Sequence, residues 1–212
     1  MLGTIMISAP ESLERLRDGN RRFVLGLQNP ESVPPARQRA QFVTGQQPFA
    51  VVLGCSDSRV PVEIVFDQGL GDLFVIRNAG NIVAPSVVGS VEFAVDRFET
   101  RLVVVMGHSL CGAVGATLET LQARNTPGSP SLLSIVDRIV PAVRELMDTP
   151  LRDDPRALYH HAVRANVRAS ANQLRRGSAI IEQMIERCGL MIVGAEYSLE
   201  TGLVDFFDGV GP

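Results

Sequence analysis

The sequence predicts an α/β fold with a mostly parallel central β-sheet flanked by helices. Short continuous apolar runs, typical of buried parallel strands, alternate with segments whose apolar residues recur at helical spacing. Two of these runs end in potential metal ligands, and sites in such sheets form beyond the carboxyl ends of the strands. A chain of 212 residues suits one compact domain, so we expect a single domain over residues 1–212.

The first 47 residues are predicted to form a helix followed by an extended arm. A helix is expected over residues 10–25, with Pro10 at its start and Leu13, Leu16 and Phe23 on one face. The segment 29–47 is polar and proline-rich, which is typical of an arm or a wrapping connection rather than of a core.

Strands and helices then alternate along the chain. Strands are predicted at residues 49–54, 73–77, 102–107 and 190–195, with a short antiparallel return strand at 203–207 after a turn at 200–202. Helices are predicted at residues 86–99, from 109 or 111 through 121, and at 131–148, 155–176 and 178–187. Residues 126–130 break the pattern, and Pro141 is expected to kink its helix.

The predicted strands at 49–54 and 102–107 are each followed by candidate metal ligands. Cys55 follows the first, and His108 and Cys111 follow the second, although the chain has only three cysteines and three histidines. Two thiolates and one imidazole match a tetrahedral zinc site with one open position. The alternative is an inert site closed by a fourth protein ligand, for which Asp57 is the obvious candidate.

Asp57 and Arg59 are expected to act together beside the cluster. Alternate residues of an extended segment point the same way, so Arg59 would hold the Asp57 carboxylate ionised and oriented. The third cysteine, Cys188, is interpreted as a core residue, and His160 and His161 as part of a solvated helix face.

Composition argues against several classes of partner. A net charge of −3, 5% aromatic residues and the absence of Trp do not favour nucleic acid binding. No apolar run approaches the roughly 20 residues of a membrane span, and no signal peptide is expected at the start. Three cysteines form no even disulfide framework, so we expect a reducing, cytoplasmic location.

Three strings together resemble the β-class carbonic anhydrases. They are Cys55-Ser-Asp-Ser-Arg59, Arg77-Asn-Ala-Gly80 and Gly107-His-Ser-Leu-Cys-Gly112, and the resemblance runs from about Leu16 to Tyr197. It implies reversible hydration of carbon dioxide to bicarbonate and a proton by metal-bound hydroxide. It also implies that Zn²⁺ is the cofactor and that Cys55, His108 and Cys111 are its ligands.

The resemblance implies further site residues. Asp57 and Arg59 would form a catalytic dyad that orients the hydroxide, and Asp57 would become a fourth ligand in a closed state at lower pH. The substrate pocket would be lined by Gln46, Phe74, Phe93 and Gly112. In the family the site is built across a dimer, so Gln46 and Phe74 are expected to act on the neighbouring subunit's zinc. The arm would clasp that subunit in a homodimer or homotetramer.

The sequence departs from the family pattern in two places. Phe93 stands where many members have Tyr, which removes one hydroxyl from the pocket. Some bacterial members also bind a second, regulatory bicarbonate through a Trp, an Arg and a Tyr. Arg77 and Tyr197 match the last two, but Val52 stands at the Trp position, so this regulation is not expected intact.

Three other functions fit parts of the pattern. The same zinc chemistry suits hydrolysis of carbonyl sulfide or carbon disulfide, which are linear triatomic molecules like carbon dioxide. A non-catalytic zinc protein would not require Asp57, Arg59 and Gln46. A thiol redox protein ranks last because the sequence has no Cys-x-x-Cys pair.

Overall fold

A five-stranded mixed sheet organises the chain in the computed structural model, which describes residues 7–29, 42–123 and 128–211. The sheet order is β2-β1-β3-β4-β5, where the first four strands are mutually parallel and β5 runs antiparallel to β4. The predicted fold class and the antiparallel return strand are therefore confirmed. The strands are β1 (Ala50–Cys55), β2 (Leu73–Asn78), β3 (Leu102–His108), β4 (Met191–Tyr197) and β5 (Val204–Asp208).

Seven α-helices accompany the sheet in the described ranges. They are α1 (Ala9–Val24), α2 (Val62–Val65), α3 (Pro85–Arg97), α4 (Gly112–Ala123), α5 (Pro130–Val143), α6 (Pro155–Arg176) and α7 (Ala179–Cys188). The helix predicted over 131–148 ends as an α-helix two residues after Pro141 and continues as a 3₁₀ turn, Arg144–Asp148. Proline lacks the N–H that an α-helix interior requires. Most of the predicted arm (residues 30–41) and the first two residues of the 126–130 breaker (126–127) lie outside the described residues.

The core lies on both faces of the sheet, which explains why the strands have continuous apolar sequences. Both β1 and β3 are buried along their whole length. On one face, Val52 and Val104 pack with Leu16 of α1. On the other face, Val51 and Val103 pack among residues of α3, α6 and α7. Only a sheet covered by helices on both sides buries successive residues in this way.

Helix α1 is fixed at its start and along its buried face. Ser8 and Glu11 form a capping box, in which each side chain accepts a hydrogen bond from the other residue's backbone N–H. Asn20 is almost fully buried, and it donates to the carbonyls of Val65 and Gly202 and accepts from the N–H of Val204. These bonds tie α1 to α2 and to the start of β5.

The interpretation of Cys188 as a core residue is wrong. Cys188 is exposed because it is the last residue of α7, beside Gly189 in the left-handed conformation where the chain turns back toward β4. His160 and His161 are both exposed on α6, as expected. Among the described residues, no helix has the length and apolar character needed to cross a membrane.

Candidate metal centre and active site

Three potential metal ligands converge at the carboxyl edge of the sheet. Cys55 is the last residue of β1, His108 is the last residue of β3, and Cys111 directly precedes α4. The two sulfur atoms and a ring nitrogen of His108 lie within 4.8 Å of one another. All three side chains are buried. Parallel strands that end at the same edge bring together residues that are more than 50 positions apart in sequence.

The donor set fits a zinc ion. Nδ1 of His108 lies 2.9 Å from the carbonyl oxygen of Ser109, which can only accept, so Nδ1 carries the proton and Nε2 keeps a free lone pair. Nε2 is buried and has no hydrogen-bond partner among the described residues. An unpaired buried nitrogen beside two thiols is costly unless a metal ion takes its lone pair.

The two sulfurs share a proton when no metal lies between them. Sγ of Cys55 and Sγ of Cys111 are 4.0 Å apart. The hydrogen bond from Cys111 lowers the pKa of the Cys55 thiol to about 4, with help from His108 and the N–H of Gly80. The same bond, together with burial, raises the pKa of Cys111 above its usual range. A divalent cation held by Cys55 and Cys111 would take the place of this proton and allow both sulfurs to be thiolates.

Asp57 and Arg59 form a bidentate ion pair at the mouth of this cluster. Nε and Nη2 of Arg59 donate to Oδ1 and Oδ2 of Asp57 at 2.9 and 2.7 Å, and the Arg59 N–H donates to Oδ1 at 3.0 Å. The hydrogen bond from the Arg59 side chain holds the pKa of the Asp57 carboxyl well below its usual range. Oδ2 of Asp57 also lies 3.8 Å from Nε2 of His108, so the carboxylate borders the metal group.

Arg77 fixes the backbone that carries Cys55 and Asp57. Its Nε donates to the carbonyl of Cys55 at 2.9 Å and its Nη2 to the carbonyl of Asp57 at 2.7 Å. Gly80 donates its N–H to Sγ of Cys55 at 3.4 Å. Gly80 has φ +72°, a left-handed conformation that glycine adopts without strain, which accounts for the glycine in this motif.

The loop that carries Cys111 is held from three sides. Leu110 has φ +56°, which is unusual for a residue with a side chain, and its carbonyl accepts from Nη2 of Arg59 at 3.4 Å. Tyr159 of α6 donates its hydroxyl to the carbonyl of Cys111. The hydroxyl of Ser109 accepts from the N–H of Leu199 at 3.0 Å. The ligand loop is therefore tied to the ion pair, to α6 and to the end of β4.

The predicted pocket residues Gln46 and Phe74 do not approach the metal group of their own chain. Gln46 is exposed and precedes β1, whose six residues span about 16 Å before Cys55. Its neighbour Gln47 donates to the carbonyl of Phe98 at 2.9 Å, at the amino edge of the sheet. Phe74 pairs with Val51, four residues and about 13 Å before Cys55.

Phe93 belongs to an aromatic cluster with Phe74. The rings of Phe74, Phe93 and Phe98 lie 5.6 to 6.2 Å apart, and Phe93 is 53% exposed. The predicted pocket residue Gly112 does lie beside the metal group, as the first residue of α4 directly after Cys111. It is exposed, and the space around its Cα is open.

Sequence reasoning missed two residues that support the site. Tyr159 and Asn166 have no local sequence signal, because each acts through a hydrogen bond to a residue that is distant in the chain. Leu110 stands in one of the quoted motifs, but its left-handed conformation and its contact with Arg59 were not predicted. Gly80 was visible as part of a motif, but only its backbone angles show why a glycine stands there.

Comparisons with known proteins agree with this geometry. A family model described as carbonic anhydrase matches residues 50–204. "Carbonic anhydrase 2" of Mycobacterium tuberculosis is 39% identical over 197 residues, which cover 92% of this chain and 91% of that protein. The carbonic anhydrase of Mycolicibacterium smegmatis is 40% identical over 200 residues, which cover 92% of each chain.

Solved structures show the same fold. A tetrameric β-carbonic anhydrase from Sordaria macrospora aligns with a TM-score of 0.73 at 25% identity, covering 84% of this chain and 89% of that one. A β-carbonic anhydrase from Aspergillus fumigatus aligns with a TM-score of 0.71 at 27% identity, covering 83% of both chains. The chain therefore belongs to the β-class carbonic anhydrases and is an enzyme of that family.

Proposed function

We propose that this chain catalyses the reversible hydration of carbon dioxide to bicarbonate and a proton, with Zn²⁺ held by Cys55, His108 and Cys111. The observation that carries the proposal is the buried Nε2 of His108, which has no partner among the described residues and faces two thiols. Zinc bound there would lower the pKa of a water molecule and so supply hydroxide in mildly alkaline solution.

Asp57 is proposed to orient the attacking oxygen. Its pKa is low because Arg59 donates to it, so the carboxylate only accepts hydrogen bonds. A hydrogen bond from the attacking oxygen to Asp57 would direct a lone pair at the carbon of the substrate. Arg59 engages both carboxylate oxygens and so keeps Asp57 in this role rather than as a ligand.

A pH-dependent switch at Asp57 is also proposed. Asp57 lies 3.8 Å from the ligand His108, so loss of its pairing with Arg59 would let the carboxylate close the open coordination position. Absorption spectra of the cobalt-substituted protein report coordination. A spectrum that stays constant across the pH range in which activity is lost would contradict the switch.

We further propose that the substrate pocket is completed by a second copy of this chain. Gln46 and Phe74 lie at or near the amino edge of the sheet, well away from their own chain's ligands, and the partly exposed cluster of Phe74, Phe93 and Phe98 offers an apolar contact surface. The related enzyme from Sordaria macrospora is tetrameric. The site would then need a dimer at least, with residues 1–47 clasping the partner.

The cell compartment follows from the ligands. Cys55 and Cys111 must remain reduced to bind zinc, so we propose a reducing, cytoplasmic location.

Stopped-flow measurement of carbon dioxide hydration tests the proposed function. Zinc-loaded protein at a mildly alkaline pH of about 8.5 is expected to be active, since water bound beside two thiolates loses its proton less readily than beside three histidines. Cys111→Ser serves as the control and is expected to lose zinc and activity together. One zinc per chain without hydration would contradict the proposal and favour hydrolysis of carbonyl sulfide or carbon disulfide, or a non-catalytic site.

A further inference from the structure

Helix α6 contacts the backbone next to both cysteine ligands, although it contributes no ligand itself. Tyr159 and Asn166 are seven residues apart on α6, which is about two turns, so both point from the same face of the helix. Tyr159 is half-buried and Asn166 is almost fully buried. Neither residue lies near Cys55, His108 or Cys111 in sequence.

Tyr159 and Asn166 each support one cysteine ligand indirectly, through a hydrogen bond to the backbone. The Tyr159 hydroxyl donates to the carbonyl of Cys111 at 2.5 Å. Nδ2 of Asn166 donates to the carbonyl of Gly80 at 2.8 Å, and Gly80 in turn donates its N–H to Sγ of Cys55 at 3.4 Å. One helix thus fixes the backbone of one thiolate ligand and the residue that hydrogen-bonds the other.

The surrounding structure is shaped to allow the Tyr159 contact. A Cβ atom placed on Gly115, one helical turn after Cys111, would lie 2.6 Å from the Tyr159 hydroxyl oxygen. Any side chain at position 115 would therefore push the hydroxyl away from the Cys111 carbonyl. The Cys111 carbonyl also accepts from the N–H of Gly115 at 3.0 Å, so Tyr159 adds a second hydrogen bond to it from α6.

We propose that Tyr159 and Asn166 are positioning residues that set the placement of the two thiolates, and through it the affinity for zinc. This inference rests on the zinc site proposed above. Groups that hold metal ligands in place from the outer shell typically change metal affinity 10- to 100-fold when they are removed. We therefore expect Tyr159→Phe and Asn166→Ala each to weaken zinc binding by roughly 10-fold or more.

The test measures zinc affinity by competition with a chelator, and thiolate geometry by the sulfur-to-metal absorption of the cobalt-substituted protein. Thr100→Val is the matched control, since it removes a buried hydroxyl that donates to the carbonyl of Pro48 at 2.9 Å just before β3, at the opposite edge of the sheet from the ligands. Tyr159→Phe should lower zinc affinity and shift the cobalt absorption, whereas Thr100→Val should change neither.

Gly115→Ala tests the contact between the Tyr159 hydroxyl and the Cys111 carbonyl in a second way. This variant keeps every donor and acceptor but displaces the Tyr159 hydroxyl, so it should weaken zinc binding much as Tyr159→Phe does. The double variant Tyr159→Phe/Gly115→Ala has no hydroxyl oxygen to displace. Adding Gly115→Ala to Tyr159→Phe should therefore weaken zinc binding far less than Gly115→Ala does in the wild type. Asn166→Ser takes the place of Asn166→Ala if the latter does not fold.

Zinc affinities and cobalt spectra that match those of Thr100→Val in all of these variants would overturn the inference while leaving the proposed function intact. A wild-type protein that takes up no zinc would overturn both.

Discussion

At the scale of single residues, the site depends on one carboxylate held by one guanidinium. Arg59 donates three hydrogen bonds to Asp57, and these bonds hold the pKa of the Asp57 carboxyl well below its usual range. Loss of activity at mildly acidic pH would therefore not come from protonation of Asp57 while this pair is intact. It would come from the water on the proposed zinc ion or from separation of the pair.

Replacing Arg59 by Ala is expected to lower turnover by about 100-fold or more, because Asp57 then loses its orientation and becomes free to bind the metal. Zinc should remain, since all three ligands are untouched. Stopped-flow hydration together with zinc analysis checks both outcomes. Arg59→Lys, which keeps the charge but not the two-point contact, should fall between the wild type and Arg59→Ala. Turnover near that of the wild type in Arg59→Ala would exclude this role for Arg59.

The sequence was informative about this pair because the two residues are neighbours. The predicted contact is present, but the segment is not extended as expected: Ser58 and Arg59 lie in a turn closed by the hydrogen bond from the N–H of Val60 to the carbonyl of Asp57. The contact from Tyr159 to Cys111 spans 48 residues and depends on how α6 crosses the sheet, so no local pattern predicts it. The left-handed conformation of Leu110 was equally hidden, because leucine does not usually adopt it.

At the scale of elements, Asn20 is one of the buried polar groups that anchor α1, together with Ser12. Asn20 makes three hydrogen bonds, two as donor and one as acceptor, to backbone groups of other segments. Removing its side chain leaves two carbonyls and one N–H without their partner.

Asn20→Ala is expected to lower the free energy of unfolding by about 3 kcal/mol, since buried groups left unpaired cost about 1–3 kcal/mol each and partly regain water. Urea denaturation of the zinc-loaded protein measures this change. Asn20→Asp keeps the acceptor for Val204 but loses both donors, so it should also be destabilising. A loss below about 0.5 kcal/mol in Asn20→Ala would show that Asn20 contributes little to holding α1 in place.

A buried carboxylate lies between α6 and the edge of the sheet. Glu196 of β4 is opposite Asp205 of β5, and Arg164 lies between them, 3.4 Å from Glu196 and 2.8 Å from Asp205. Nε2 of His160 is 3.3 Å from Glu196. Burial raises the pKa of Glu196, and this effect outweighs the lowering of the pKa by His160 and Arg164.

This shift predicts a pH dependence of stability. The native state holds the Glu196 proton more tightly than the unfolded chain, so its stabilising effect is complete below the unfolded pKa, about 4.3, and is lost as pH rises through the native value. The stability of the wild type relative to Glu196→Gln should therefore fall as pH rises above that range, measured by urea denaturation. A difference between the wild type and Glu196→Gln that stays flat across this pH range would contradict the prediction.

Most elements were predictable because their periodicity is strong. The strand positions were correct to within one or two residues, since buried parallel strands need continuous apolar runs. Helix α2 was not predicted, because four residues give too few turns for a helical period to appear. Cys188 was misplaced because a helix end can leave an apolar residue in solvent even when the preceding turns are buried.

At the scale of the whole molecule, the metal ligands and the predicted pocket residues lie in different regions of one chain. The cluster of Phe74, Phe93 and Phe98 is partly exposed, and neither it nor Gln46 is close to the cysteines. Sequence could name these residues only through the family resemblance, because the sheet separates residues that a second subunit would bring together.

Phe93→Glu is expected to dissociate the oligomer and to lower turnover by about 10-fold or more, because charge is costly in an apolar interface and the pocket then lacks its partner groups. The zinc content should stay at one per chain, because one chain supplies all three ligands. Analytical ultracentrifugation and hydration kinetics measure the two effects. Leu132→Glu, at a comparably exposed position on α5, is the control and should do neither. A Phe93→Glu protein that assembles and works normally would exclude this surface as the interface.

Because Gln46 lies far from the ligands of its own chain, two inactive variants should be able to complement each other in a mixed dimer. If each centre joins zinc from one chain to Gln46 from the other, Cys111→Ser and Gln46→Ala damage opposite halves of it. A mixed dimer of the two variants contains one centre with both defects and one with neither. Two inactive proteins, refolded together, should therefore regain activity that neither has alone, and a mixture that shows only the sum of its parts would place a complete centre within each chain.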